Sequence, residues 1–269
     1  MAVNYRPVSL TSVVCKLMES IIRKHIMKHL VKENLLSNKQ YGFISKRSTV
    51  TQLLHYIDKC CETCARGGVV DTIYFDFAKA FDTVPHRRLR RKLEGYGIVG
   101  DILEWITSFL ENRKQVVKVN GTESSVGDVI SGIPQGSVLG PLLFVIYIND
   151  LPDLIKSDVF LFADDTKIFK EVNSINDSTI IQKDIEALEH WSKVWLLRFH
   201  PDKCHVLTIG KFANIKHAHE YILEGNELEH VFVEKDLGVL IDCDLMFEDH
   251  ISKQVNKANA MLGLIKRSF

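Results

Sequence analysis

Val159-Phe160-Leu161-Phe162-Ala163-Asp164-Asp165-Thr166-Lys167-Ile168-Phe169 joins two strand-like apolar runs, 159–162 and 168–169, through a pair of acids. Adjacent carboxylates at such a turn disfavour each other's ionised form. A divalent cation removes that cost. A third carboxylate, Asp76, ends another apolar run, Ile73-Tyr74-Phe75-Asp76-Phe77. In that strand Ile73, Phe75 and Phe77 share one face, and Thr72, Tyr74 and Asp76 share the other. Asp76 is therefore expected on a half-polar face, away from the core. Three acids on the ends of buried strands are what a two-metal phosphoryl-transfer site needs. Successive strand residues point to opposite faces, so Asp164 is ranked above Asp165 unless the turn reorients one of them. An Asp-Asp pair alone reads as a solvated turn; the matching Asp76 overturns that reading.

The totals leave this reading room. The chain has 269 residues, 46% hydrophobic and 25% charged, which are ordinary globular values. That length holds one large domain or two to three subdomains. No uncharged apolar stretch reaches the roughly 18 residues of a membrane span, and the first residues carry no apolar leader core. Formal net charge is +0, yet the charge is unevenly spread. Residues 1–50 carry nine basic and two acidic side chains, and residues 211–250 carry three basic and ten acidic. A basic N-terminal segment suits a phosphate backbone, although a solvated helix face reads the same way. Cys61 and Cys64 make a lone CxxC without a second pair at zinc spacing, so the six cysteines are expected as reduced thiols.

Periodicity supplies the frame. Val14, Leu17, Met18, Ile21, Ile22 and Ile26 recur at helical spacing after Ser9-Leu10-Thr11-Ser12. Further helices are expected over 49–65, 86–96, 101–111, 139–147 and 249–267. A long amphipathic helix carries Ile181, Ile185, Leu188, Trp191 or Ser192, and Trp195. Strands are expected over 69–77, 115–120 and 204–209, with a turn at Asn120-Gly121 and a hairpin-like stretch over 219–242. This interspersion predicts an α+β fold with a largely antiparallel central sheet.

Several motifs now occur in one order. They are residues 4–10, Gln40-Tyr41-Gly42-Phe43, Asp76-Phe77-Ala78-Lys79-Ala80-Phe81-Asp82, residues 131–141 around Pro134-Gln135-Gly136, and Phe162-Ala163-Asp164-Asp165. In this order they resemble the reverse transcriptase domain of non-LTR retrotransposons, jockey-like elements in particular. The resemblance implies a right-hand polymerase fold, with an antiparallel palm, helical fingers and a thumb mostly missing. It divides the chain into fingers (1–68), a first palm strand (69–85), connecting helices and a hairpin (86–130), palm with catalytic hairpin and primer grip (131–242), and the start of a thumb (243–269).

The resemblance also implies roles. Asp76, Asp164 and Asp165, with the Phe77 carbonyl, would hold two Mg²⁺ ions, or Mn²⁺ in their place. Lys203 would protonate leaving pyrophosphate. Phe81 would exclude a 2′-hydroxyl. Lys46, Arg47, Gln135 and Gly136 would bind nucleotide. Arg6, Gly132, Pro134, Ala163, Leu237 and Gly238 would contact template or primer. Ile44 departs from the arginine that relatives place directly after Gly42-Phe43. The implied partners are an RNA template, a DNA primer and deoxynucleoside triphosphates, without a membrane, in an intracellular setting, with the nucleus suggested by synthesis primed at chromosomal DNA. The resemblance begins within the fingers and stops after the primer grip, so a truncated copy is expected. Two alternatives share these motifs: an inactive nucleic-acid-binding remnant, and an RNA-directed RNA polymerase, against which Phe81 argues.

Overall fold

The computed structural model describes residues 7–210 and 219–268. Arg6 and the first part of the 4–10 motif therefore lie outside the described residues. Ser12 caps helix α1 (Val13–Lys32) by accepting from the Cys15 amide. A reciprocal Ser48–Thr51 capping box starts α2 (Thr49–Ala65). Strand β1 (Val70–Phe75) follows, then α3 (Ala80–Thr83), α4 (His86–Gly95) and α5 (Asp101–Leu110). The segment expected as one strand over 115–120 is instead a chain of two-residue strands. These are β2 (Lys114–Gln115), β3 (Lys118–Val119), β4 (Thr122–Glu123) and β5 (Gly127–Asp128). They pair as β2 with β5 and β3 with β4. All of them are exposed, so no core-facing side chain holds the longer strand together. Asn120 and Gly121 both have positive φ (50° and 84°), which forms the expected tight turn between β3 and β4.

Helix α6 (Gly140–Ile148) is buried around almost its whole circumference, as a central core helix must be. After it come β6 (Asp158–Phe162), β7 (Asp165–Glu171), α7 (Ile175–Trp195) and β8 (His205–Ile209). The chain ends in β9 (Ile222–Leu223), β10 (Asn226–Glu227), β11 (Glu229–Val231), β12 (Val233–Asp236), β13 (Val239–Asp242) and α8 (Glu248–Ser268). The central sheet has five strands in the order β11-β8-β1-β7-β6. Strand β1 is antiparallel to both β7 and β8, and only β11 against β8 is parallel.

Both faces of this sheet are covered. Ile73, Phe75 and Phe77 pack on one side with α6, α7 and α1. Val70, Phe160, Phe169 and Leu207 pack on the other with Leu53, Tyr56 and Cys60 of α2 and with Ile241. The expectation of a half-polar face is therefore corrected: Thr72 is fully buried and Tyr74 half-buried, and the face becomes open only toward Asp76. The stripe of α1 is also corrected. Its buried residues are Glu19, Ile22, Ile26 and Leu30, while Val14, Leu17, Met18 and Ile21 are exposed. Apolar residues occupy two arcs of this helix, and periodicity alone does not say which arc meets the core.

Candidate active site

The β1–β7 ladder decides which acids meet. Ile73 faces Ile168, Tyr74 faces Lys167 and Phe75 faces Thr166. Continued by one residue, the ladder sets Asp76 beside Asp165. Cross-strand partners share a face, so Asp76 and Asp165 project to the same side, the one that carries Tyr74 and Lys167. Phe162 pairs with Asp165, so Ala163 and Asp164 form a two-residue hairpin turn. Ala163 takes the left-handed conformation, with φ 54°. Asp164 is half-buried at the turn itself.

A concave cleft opens on this face, lined among others by Tyr74, Asp76, Asp165, Lys203, His205 and Leu237. Asp165 and Asp76 both line it, whereas Asp164 sits at its rim outside the lining. The cleft thus brings Asp165 in beside Asp76, while Asp164, ranked above it by alternation, occupies the turn itself. Asp165 is exposed to solvent at the mouth of the cleft, while the atoms packed around its carboxyl still bury part of it. That burial, followed by the charges of Asp164, Asp236 and Asp76, pushes its carboxyl up to about 6. On the opposite wall, in a single helical turn (Pro201–Lys203), Lys203 places Nζ 3.3 Å from Asp76 Oδ2.

Phe77 has its backbone set by a bridge to Phe199. The His200 amide donates to Asp76 O and the Ala78 amide to Arg198 O, both at 2.8 Å. In such a narrow antiparallel pair, the central residue's own N–H and C=O point away from the bridge partner. The Phe77 carbonyl is thereby turned from the β8 side toward β7 and the Asp164 turn. Its ring stacks on Phe199 at 4.6 Å, which fixes the bridge from the core side. Among the described residues no group of three or more His, Cys, Asp or Glu side chains forms a ready metal cage. Mg²⁺ does not need one: it takes one or two carboxylates and completes its octahedron with substrate phosphates and water. Asp76, Asp165 and the Phe77 carbonyl, with Asp164 at the rim, fit that demand. Burial is the first cause of the raised Asp165 carboxyl, and a cation would relieve the further part that comes from Asp164, Asp236 and Asp76.

The other expected residues fall into two places. Residues 131–137 are strapped to 81–84. Ile133 N donates to Phe81 O (2.6 Å), Gly132 N to Val84 O (2.8 Å) and Gln135 Nε2 to Asp82 Oδ1 (2.8 Å). A Cβ on Gly132, at φ 92°, would lie 2.6 Å from Asp82 O, so its missing side chain serves this strap. Pro134 is buried within it, and Gly136 is exposed with φ 90°. Phe81 stacks on Phe144 (4.5 Å, 20°) and is half-buried, leaving part of its ring at the surface. Phe81, Gln135 and the loop glycines thus come together outside the cleft lining, and of these only Phe81 lies near Asp76 in sequence. Leu237 (φ 46°) and Gly238 (φ 94°) form the turn of the β12–β13 hairpin, and Leu237 reaches the cleft. Ala163 is buried. Lys46 is exposed on its loop. The guanidinium of Arg47 turns inward, donating to the carbonyls of Ser37, Asn38 and Gln40.

Sequence reasoning missed the polar residues beneath the cleft. Lys167 and Asp236 form an ion pair with both side chains about 95% buried (4% and 5% exposed). Lys167 also lies 4.1 Å from the Tyr56 ring centre, and Tyr74 OH contacts both Tyr56 and Asp236. The signal was available: Lys167 follows Asp165 by two residues and so shares its face. Glu19, which sequence reasoning gave no role, is fully buried. Its Oε2 accepts from the amides of Val138 (2.7 Å) and Leu139 (2.9 Å), anchoring the start of α6 and the end of the Gln135 loop.

Comparison with known proteins bears on this geometry. Residues 2–254 match the family described as reverse transcriptase (RNA-dependent DNA polymerase). The chain is 30% identical, over 93% of its length, to the RNA-directed DNA polymerase from mobile element jockey of Drosophila funebris, of which it covers 28%. It is 29% identical, over 92% of its length, to the probable RNA-directed DNA polymerase from transposon BS of Drosophila melanogaster, again covering 28%. The chain thus spans somewhat over a quarter of the curated relatives it matches. Apo telomerase from Candida tropicalis superposes with a TM-score of 0.58 at 12% identity, over 86% of this chain and 40% of that one. Telomerase from Candida tropicalis in complex with the TWJ fragment of telomeric RNA gives 0.58 at 13% identity, over 85% and 36%. The fold is α+β, of the kind these polymerases share.

Proposed function

We propose, for a chain that belongs to the reverse transcriptase (RNA-dependent DNA polymerase) family, that the cleft lined by Asp76, Asp165 and Lys203 is its nucleotidyl-transfer centre. The reaction is RNA-templated addition of a deoxynucleotide to a DNA primer. The primer 3′-oxygen forms a bond to the α-phosphorus as the bond from that phosphorus to the bridging oxygen breaks, and pyrophosphate leaves. The observation that carries this reading is the ladder placing Asp76 beside Asp165, with the Lys203 ammonium 3.3 Å from Asp76.

Asp76, Asp165, Asp164 and the Phe77 carbonyl are the residues that would hold Mg²⁺, or Mn²⁺ in its place. The chemistry supplied by two such ions is activation of the 3′-hydroxyl and neutralisation of charge on the leaving oxygen. Lys203 holds a proton at Nζ for the departing pyrophosphate. The Leu237-Gly238 turn supports the primer end, and the strap of Gly132, Pro134, Gln135 and Gly136 presents template and nucleotide beside Phe81. Ala163, buried in the acidic hairpin, shapes the floor below the primer. Lys46, exposed on its loop, is the cation this reading assigns to the triphosphate. In this reading 1–68 are fingers, 69–85 and 131–242 palm, 86–130 the connecting helices and hairpin, and 243–269 the start of a thumb. The setting is nuclear, by analogy with synthesis primed at chromosomal DNA. No helix among the described residues is long and apolar enough to cross a membrane.

The test is extension of a DNA primer on an RNA template with Mg²⁺ and deoxynucleotides. A second reading, a nucleic-acid-binding remnant, draws on Arg47, whose Nη1 donates to carbonyls of its own loop. Salt-sensitive RNA binding without incorporation would favour that remnant.

A further inference from the structure

The left-handed Ala163 is the strained point of the acidic hairpin. A non-glycine residue disfavours this conformation because its Cβ crowds the adjoining carbonyl. Something must hold Ala163 there. The side chain of Gln40 does: its Oε1 accepts from the Ala163 amide at 3.1 Å and from the Gly42 amide at 2.7 Å. Gln40 is fully buried. Its own backbone is tied to the same hairpin, since Tyr41 N donates to Leu161 O (2.7 Å) and Leu161 N to Lys39 O (3.0 Å). The packing is tight enough to require a glycine: a Cβ on Gly42 would stand 2.5 Å from Ala163 N and 3.0 Å from Gln40 Oε1.

The other end of the Gln40 amide argues that its carbonyl is wanted. Nε2 is buried with no hydrogen-bond partner among the described residues. An unmade buried donor is costly, and a leucine of similar volume would avoid it. Packing alone gives no reason for glutamine here; a carbonyl that accepts at once from the Ala163 amide of the acidic turn and from the Gly42 amide of its own loop does. Arg47, by capping the carbonyls of Ser37, Asn38 and Gln40, stiffens the seat from beneath.

We propose that Gln40 is a positioning residue for nucleotidyl transfer: its side-chain carbonyl pins Ala163 in the left-handed conformation and so fixes Asp164 and Asp165 relative to Asp76. The inference rests on the proposed function for its kinetic consequence, but its structural part stands without it. Gln40 touches neither substrate nor reacting atoms; it acts through the turn.

The test is a double-mutant cycle of Gln40→Leu and Ala163→Gly, with two readouts. The first is hydrogen exchange of the residue-163 amide, which needs no activity. Gln40→Leu should speed it at least tenfold, while exchange in the β1 and β7 core changes little. The second is single-turnover primer extension at saturating primer–template. Gln40→Leu should slow incorporation by about a hundredfold, the scale of misplaced reacting groups, with primer–template Kd within about twofold of wild type. Glycine adopts positive φ freely, so Ala163→Gly on the Gln40→Leu background should recover at least tenfold of the rate relative to its effect on wild type. Unchanged exchange at residue 163, or strictly additive kinetics in the cycle, overturns the proposal. Wild-type protein that extends no primer overturns the proposed function instead, and the exchange result then still decides whether Gln40 pins the turn.

Discussion

Lys203 holds its ammonium nitrogen 3.3 Å from Asp76 Oδ2, so a single cation spans from the short turn before β8 to the carboxylate that ends β1. Both side chains are well exposed, and the pair adds little to stability; its interest lies in the reaction. Lys203→Ala should lower single-turnover incorporation by about 10²–10⁴-fold, the usual span for a lost general acid. Lys203→Arg keeps a cation beside Asp76 but cannot release a proton. Its rate should stay low while nucleotide affinity returns. Equal rescue of rate and affinity by arginine would reduce Lys203 to a phosphate contact.

Asp165 gives the site a pH dependence. Its carboxyl is raised to about 6 by burial and by Asp164, Asp236 and Asp76. The folded state then binds a proton more tightly than the unfolded chain. Stability from this group is present at low pH and is lost as pH rises toward and through 6 in metal-free protein. A bound cation requires the deprotonated form, so Mg²⁺ affinity should weaken as pH falls below about 6. Melting curves at pH 5 and pH 7.5, with and without Mg²⁺, check both signs. Stabilisation by Mg²⁺ should be clearly larger at pH 7.5, and Asp165→Asn should erase the difference.

Lys167 and Asp236 fasten the β12–β13 hairpin to β7 beneath the cleft. Replacing one partner leaves an uncompensated buried charge. Lys167→Met should therefore cost about 3–5 kcal/mol in denaturant unfolding, while Lys167→Met with Asp236→Leu should recover most of it. The double variant also removes the tie between hairpin and sheet. If Leu237 supports the primer, its primer–template Kd should rise even where stability is restored.

How much of this was legible beforehand depended on the kind of signal. The hairpin of Phe162 to Asp165 and the core helix α6 follow from local pattern, and both form as expected. Asp76 beside Asp165 follows from register, which alternation leaves undetermined until a partner strand is known. The exposed arc of α1 shows the same limit, since Leu17 and Ile22 look alike in a helical repeat. Long-range polar contacts were hidden altogether: Gln40 meets Ala163 and Glu19 meets Val138 more than a hundred residues away. Arg47 was expected at the triphosphate because it is a cation in a basic loop. Carbonyls of that loop accept from its Nη1, a contact that sequence cannot reveal.

Phe81 stacks one face on Phe144 and keeps part of its ring accessible beside the Gln135 strap. As a barrier to a 2′-hydroxyl it should matter for sugar choice more than for catalysis. Phe81→Val should raise ribonucleotide use relative to deoxynucleotide use by about 10–200-fold, the range for removing one steric contact in a pocket. Some stability should be lost with the stacked ring. Competitive incorporation of paired ribo- and deoxynucleotides measures it. Comparable use of both by the unmodified chain would revive RNA-directed RNA synthesis.

The most direct measurement is primer extension on an RNA template by the unmodified chain beside Asp76→Asn, Asp164→Asn and Asp165→Asn. Each substitution keeps volume and removes charge. Mg²⁺-dependent extension by the unmodified chain, abolished by Asp76→Asn and Asp164→Asn and at least strongly reduced by Asp165→Asn, is the expected result. Extension near the unmodified level in Asp76→Asn or Asp164→Asn would contradict the assignment of the cleft as the nucleotidyl-transfer centre.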